Sequence, residues 1–318
     1  GVLAALEVVR TLNDHGIVTA APIEAVFWTN EEGSRFVPVM MGSGVYAGDF
    51  TLAHAHSARD ADGLSVRDEL ERIGYLGSQV PGDRPGAAYF EVHIEQGPVL
   101  EENDKVIGVV EAVLGVRWYD CVVTGFEAHA GPTPMELRRD ALQAATLIMR
   151  EVVAIANRYQ PYGRGTVGMV RVHPNSRNVI PGKVTFSIDL RNVDSVLVDR
   201  MDAELRACVA DVAAGSNVGV ELSQVSHYPP VPFDPACVAA VRRATERLGY
   251  PHMPVVSGAG HDAIYMARVM PAGMIFVPCK DGVSHNEIED ALPAHITAGG
   301  NVLLHAVIER AGIAAAPA

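Results

Sequence analysis

The stretch LRRDALQAATLIMREVVAIANR, residues 137–158, sets Ala141, Ala144, Ala145, Ile148, Val152 and Ile155 on one side of a helix. An apolar stripe at a 3.6-residue period has to pack against something. Working outward from it, Arg117–Thr124 alternates as a strand, and strands at 166–172 and 183–190 follow, separated by the turn-rich segment His173–Gly182. A second helix carries Met201, Leu205, Cys208, Val209 and Val212, and Val218–Val225 closes the unit as a strand. The order β-α-β-β-α-β predicts a ferredoxin-like domain.

The flanks have a different rhythm. Residues 1–13 show helical periodicity, with Val2, Leu6 and Val9 on one face. Ile23–Thr29 is a short unbroken apolar run, the pattern of a strand buried on both faces. Tyr89–Ile94, after a Pro/Gly-rich loop at 81–86, and Met274–Pro278 read as further strands. The expectation is an α/β protein in which a discontinuous, mainly parallel-sheet catalytic domain is interrupted by the ferredoxin-like insert. The boundaries fall at 1–113 for its first part, 114–227 for the insert and 228–318 for its second part, with Pro229, Pro230 and Pro232 marking the return. An Ala-rich tail occupies 314–318.

Composition removes several classes of function. A formal net charge of −13 argues against nucleic acid, whose phosphates need a basic surface. No apolar run approaches the ~18 residues a membrane helix requires. Cys121, Cys208, Cys237 and Cys279 form no CxxC pair, the usage of reduced thiols in a cytoplasmic protein. Any metal must therefore be held by His, Asp and Glu. The chain also starts on Gly1 inside a helical pattern with no capping residue before it. It reads as entered in mid-domain, with an upstream part expected.

Three segments carry the chemistry. Asn30-Glu31-Glu32-Gly33-Ser34 follows the Ile23–Thr29 run, at the strand end where α/β sheets bind ligands. Adjacent carboxylates repel, and a divalent cation removes that conflict: one ligates while the other takes a proton from water. The bland alternative is an acidic first turn of a helix. In EVHIEQGP, residues 91–98, alternation puts Glu91, His93 and Glu95 on one face, so His93 is either a metal ligand or a hydrogen-bonded structural histidine. Ser284-His285-Asn286-Glu287-Ile288-Glu289 repeats the pattern of a histidine among acids after a strand. Their joint occurrence at the ends of strands of one sheet points to a shared His/Glu metal site.

Four further features are weaker. His129 stands in a loop fixed by glycine and prolines, where it could stabilise an oxyanion or lie idle on the surface. Arg191, after the strand 183–190, suits bidentate capture of a carboxylate; its alternative is an ion pair with Asp189 or Asp194. Ser257–Asp262, SGAGHD, is a glycine-bracketed loop whose backbone could approach a ligand. His54 and His56 form an HxH in a polar stretch read as an exposed loop and not as a metal site.

Taken together, WTNEEGSRF (28–36), FEVHIEQGPVLE (90–101), HAGPTPMELRRDAL (129–142), NVIPG (178–182), DLR (189–191), SGAGHDA (257–263) and SHNEIE (284–289) closely resemble the hydantoinase/carbamoylase branch of the zinc aminoacylase and carboxypeptidase superfamily. That branch includes N-carbamoyl-L-amino acid hydrolases, β-ureidopropionases and allantoate amidohydrolases. The resemblance implies an amidohydrolase that cleaves the ureido C–N bond of N-carbamoyl amino acids, with allantoate amidohydrolase as the alternative activity. It implies Glu31 as general base and Glu32, His93 and His285 as metal ligands. Gln96, His129, Asn178, Arg191 and the Gly260 backbone become substrate contacts, with His129 also catalytic. It further implies two divalent ions (Zn, or Mn, Co or Ni), a small carboxylate substrate and a homodimer formed through the inserted domain. The family's upstream HxD histidine and bridging Asp do not occur in these residues, so the full metal site needs ligands from outside them. Without such ligands the expectation becomes a non-catalytic binding relative.

Overall fold

Antiparallel pairing organises the middle of the chain and mixed pairing its flanks. The structure, a computed structural model, describes residues 1–84 and 86–314. It divides into two compact units, Gly1–Val113 with Pro232–Ala318, and Leu114–Val231. The loop expected at 81–86 includes Pro85, and the tail at 314–318 includes residues 315–318; these lie outside the described residues.

In the Leu114–Val231 unit, Gly115–Thr124 pairs antiparallel with Lys183–Asn192 on one side and Gly219–Tyr228 on the other. Arg164–Thr166 and Val170–His173 then pair with Lys183–Asn192. The resulting order, with the first strand between the last and the third, is that of the ferredoxin-like motif. Helices Ala141–Arg158 and Ser195–Ser216 cover it. All six residues of the stripe read from the sequence are buried, packed with Tyr119, Phe186, Ile188, Leu190, Met201 and Leu205. Each large one stabilises by roughly 1.5–3 kcal/mol.

Two local expectations differ from what forms. The first helix starts at Ala141 and not at 137, because the Asp140 side chain accepts the Leu142 and Gln143 N–H groups and so caps it there. The strand expected over 166–172 is split. Between its pieces the Ser187 hydroxyl accepts the Met169 N–H at 3.1 Å, and the Ser187 N–H goes to the Met169 carbonyl.

The other unit is built on Ala272–Val277, buried at every position. It runs parallel to Tyr89–Ile94 and antiparallel to Ile107–Val113, which in turn runs parallel to His252–Ser257. Ile275 and Val277 face a cluster with Val8, Leu12, Val241 and Val302 from helices Val2–Asp14, Pro235–Leu248 and Pro293–Ala311. Met274 and Phe276 face the opposite cluster, with Leu100, Val110, Phe233 and Val255. Burial on both faces is why the strand reads as an unbroken apolar run.

Ile23–Thr29 is a correction. Residues 23–28 carry no regular secondary structure, Thr29 lies in a turn, none of them joins a ladder among the described residues, and Phe27 is 58% exposed. An apolar run records a need for burial, whereas a strand also needs a partner edge for its N–H and C=O groups. The HxH stretch, expected as a loop, is a short helix, Leu52–Ser57, capped by the Thr51 hydroxyl on the His54 N–H.

Candidate active site

The Asn30–Met40 segment folds back on itself. Asn30 takes a left-handed backbone (φ 54°), which asparagine tolerates better than most residues. Its side-chain amide donates to the Phe36 and Pro38 carbonyls at 2.8 and 3.0 Å. The Met40 N–H reaches the Glu31 carbonyl at 2.7 Å. Gly33, at φ 68°, leaves no room for a side chain, since a Cβ would lie 2.5 Å from Val39. This closure holds the neighbouring carboxylates on one loop. Glu31 is half-buried and Glu32 exposed. Burial raises the Glu31 pKa, with the charges of Asp262 and Glu32 adding to it and those of His93 and His285 opposing. That is the direction useful to a general base.

His93 donates from Nδ1 to the Ile94 carbonyl at 2.8 Å, since a carbonyl can only accept. In the neutral ring this leaves the Nε2 lone pair available to a metal. His285 sits at φ 55° on a turn that Glu289 holds, its carboxylate accepting from the Ser284 hydroxyl and the His285 N–H. His285 Nε2 lies 3.8 Å from a Glu32 oxygen and 3.5 Å from Gln96 Nε2. Gln96 (φ 59°) has a buried Oε1 without a hydrogen-bond partner, an acceptor suited to a ligand donor. Glu95 has a structural task, accepting the Val99 and Leu100 N–H groups. At Gly260 a Cβ would meet Met40 at 3.3 Å, so the loop passes close to the Glu31 segment.

These donors are the right kind for a divalent cation. They are not a complete cage. Among the described residues no three His, Cys, Asp or Glu side chains gather closely enough to hold one.

A buried polar cluster stands alongside, built from residues outside the candidate set implied by the sequence. The Trp28 indole donates to the Tyr89 hydroxyl at 3.1 Å, which donates to Glu91 at 2.9 Å; the Ala263 N–H also reaches Glu91. The Ser43 hydroxyl donates to Asp262. His261 is 1% exposed, its Nε2 lies 2.8 Å from the Ser257 hydroxyl, and its ring meets the His93 ring edge-on at 4.7 Å. Burial pushes Glu91 and Asp262 up to about 7 and His261 down to about 3. A signal existed in the sequence. His261 and Asp262 stand between a glycine loop and apolar Ala263–Met266, a setting that favours burial of both.

In the Leu114–Val231 unit, His129 and Asn178 come together. A two-residue ladder pairs His129 with Val179, and the Ala130 N–H reaches the Asn178 carbonyl at 2.8 Å. The Gly131 N–H donates to His129 Nδ1 at 3.1 Å. The ring therefore carries its proton on Nε2, as a donor. Asn178 Oδ1 accepts from the Ser176 hydroxyl. Arg191 forms the ion pair that the sequence left open: Nε lies 2.9 and 3.1 Å from the two Asp189 oxygens, and Nη2 2.6 Å from one of them.

Comparison with known proteins places this arrangement. Residues 1–309 match Peptidase family M20/M25/M40. The chain belongs to this family. Within it the chain lies in the hydantoinase/carbamoylase branch. It is 49% identical over 313 residues to an N-carbamoyl-L-amino-acid amidohydrolase of Rhizobium meliloti, covering 98% of this chain and 75% of that protein. It is 35% identical over 294 residues to the allantoate amidohydrolase of Escherichia coli, covering 91% and 71%. The crystal structure of an amidase of the hydantoinase/carbamoylase family from Burkholderia multivorans superposes with a TM-score of 0.96 at 58% identity, covering 98% of this chain and 76% of that one. M20 members are generally metal-dependent.

Proposed function

We propose that this member of the M20 family hydrolyses the ureido C–N bond of N-carbamoyl amino acids, giving the amino acid, CO2 and ammonia. The observation that carries the reading is Glu31, a half-buried carboxylate of raised pKa on a closed loop, in a chain half identical to an N-carbamoyl-L-amino-acid amidohydrolase. Glu31 takes a proton from the attacking water as its oxygen bonds to the ureido carbonyl. His129 Nε2–H donates to the oxygen that gains the negative charge. Glu31 returns the proton to the departing amine, the C–N bond breaks, and the carbamic acid released decomposes to CO2 and ammonia. Arg191 binds the substrate carboxylate, sharing its guanidinium with Asp189 or exchanging it. Asn178, Gln96 and the Gly260 backbone orient the rest.

Glu32, His93 and His285 supply donors for two divalent ions of the zinc, manganese, cobalt or nickel type. A full set needs further ligands, because among the described residues these three do not close it alone. Bound cations would supply Lewis acidity to the carbonyl and to water. The Leu114–Val231 unit is the dimerisation unit, its outer strand Gly219–Tyr228 offering exposed Val225 and Tyr228. Four free cysteines suit the cytoplasm, and among the described residues no helix is long and apolar enough to cross a membrane. The test is turnover by the full-length, metal-loaded protein of N-carbamoyl-L-amino acids, N-carbamoyl-β-alanine and allantoate side by side. Preference for a carbamoyl amino acid is the expected result. Preference for allantoate overturns the substrate, and turnover of none overturns the enzyme.

A further inference from the structure

We propose that Arg138 is a positioning residue that keeps His129 as an Nε2–H donor. The proposal rests on the reading that His129 donates to the developing oxyanion. His129 ends its short ladder, and the chain then crosses Ala130-Gly131-Pro132-Thr133 before the turn Met135–Leu137. Arg138 is partly buried behind this crossing. Its Nη2 donates to the Ala130 carbonyl at 2.6 Å and its Nε to the Thr133 carbonyl at 3.1 Å. Those two carbonyls bracket Gly131-Pro132. One rigid guanidinium thus fixes both ends of the segment that carries the Gly131 N–H.

That N–H is what sets the imidazole. It donates to His129 Nδ1 at 3.1 Å, and the Thr133 hydroxyl donates to the His129 carbonyl at 2.8 Å. On the far side the Ala130 N–H is held by the Asn178 carbonyl. Nothing in the ring itself favours one tautomer enough to guarantee a donor at Nε2. The backbone does so only while Gly131 stays in place. Among the described residues the guanidinium's hydrogen bonds go to backbone carbonyls and not to a carboxylate, so its charge strengthens the brace. A lysine, with a single ammonium, can serve one carbonyl well but not both in fixed geometry.

The experiment uses the full-length, metal-loaded protein and two independent readouts, steady-state kinetics and the 15N–1H imidazole spectrum of His129. Arg138→Met is expected to lower kcat about tenfold with KM little changed, the scale of a donor displaced but not removed. Its spectrum is expected to pass from the Nε2–H tautomer to a mixture. Arg138→Lys should recover part of both. His129→Gln, whose amide nitrogen reaches the Nε2 position, should outperform His129→Asn. Arg138→Met should add nothing to His129→Ala. Should Arg138→Met fail to fold, Thr133→Val and Arg138→Lys report on the same brace. Retention of a pure Nε2–H tautomer in the Arg138 variants overturns the inference, whatever the kinetics. An undiminished rate for His129→Ala instead overturns the role given to His129 above, and the spectrum still decides the brace.

Discussion

His129 and the Glu31–Glu32 pair both stand on folded-back loops, but their surroundings complete them to different degrees. Around His129 the protein supplies every partner the ring needs: a backbone N–H for Nδ1, a ladder for the main chain, and a hydroxyl for its carbonyl. Around Glu31 the loop is equally well fastened through Asn30, yet its charges are not matched. Burial first, then the charges of Asp262 and Glu32, raise the Glu31 pKa, and Glu32 and His285 stop at 3.8 Å. A neutral donor can be finished by hydrogen bonds alone. A cluster of carboxylates calls for positive charge that the described residues supply only in part. The contrast separates groups whose geometry is set by folding from groups whose energetics depend on a bound cation.

The largest effect expected from this contrast is at Glu31. Glu31→Gln keeps the loop and the shape of the side chain and removes the base, so kcat should fall by at least about two orders of magnitude. Metal content should stay nearly unchanged. Glu32→Gln should do the reverse and lower metal occupancy, measured by elemental analysis after dialysis. Near-normal turnover by Glu31→Gln would mean that the closed loop serves some other purpose.

A smaller effect is expected at Arg191, where the comparison blurs because a charged group is already paired. Arg191→Lys should weaken kcat/KM by about ten- to a hundredfold, the cost of replacing a bidentate fork by a point charge. Removing the carboxylate from the substrate should cost the wild type a similar factor, and the two losses should not add. Full additivity in this enzyme–substrate cycle would leave Arg191 as a partner of Asp189 and nothing more.

How much of this could be read from residues alone depended on whether a local or a remote partner decided the outcome. The stripe from Ala141 to Ile155 was legible because helical spacing encodes burial directly, and all six of its residues are buried. The run Ile23–Thr29 misled because pairing is not written in the run itself. The loop motifs NEEGS, HAGPTP and SHNEIE stand out in the sequence as groups of carboxylates, histidines and glycines, and the roles proposed for them rest on the tests above. The His261–Asp262–Glu91 cluster does not stand out as one. Local spacing hints at the burial of His261 and Asp262, but the partners that join them to Glu91 come from remote segments, Ser43 on Asp262 and Trp28 on Tyr89. Arg191 stood between two readings because Asp189, two residues away on the same strand face, is present in either case.

The smallest effect tests whether the carboxylates near Glu31 cost stability in the metal-free protein. Asp262 is 5% exposed, takes a hydrogen bond from Ser43, and faces Glu91 and Glu31. Burial, with the Glu91 charge adding to it, holds its pKa at about 7, above the ordinary 3.8. A carboxyl group whose pKa is raised on folding favours the native state most when it is protonated in both states. Its contribution is thus fully present below about pH 4 and is lost as the pH climbs through about 7. Three units correspond to a ceiling of about 4 kcal/mol, and partial relaxation should leave about 2 kcal/mol. An asparagine in place of the acid would keep an acceptor for Ser43 and carry no charge. Asp262→Asn should therefore raise the Tm of metal-free protein at pH 8 by about 5 °C. The advantage should shrink to less than half by pH 5, since the unfolded-state carboxyl titrates near 4. A gain that is the same at both pH values would trace it to packing and remove the electrostatic half of the contrast between the two loops.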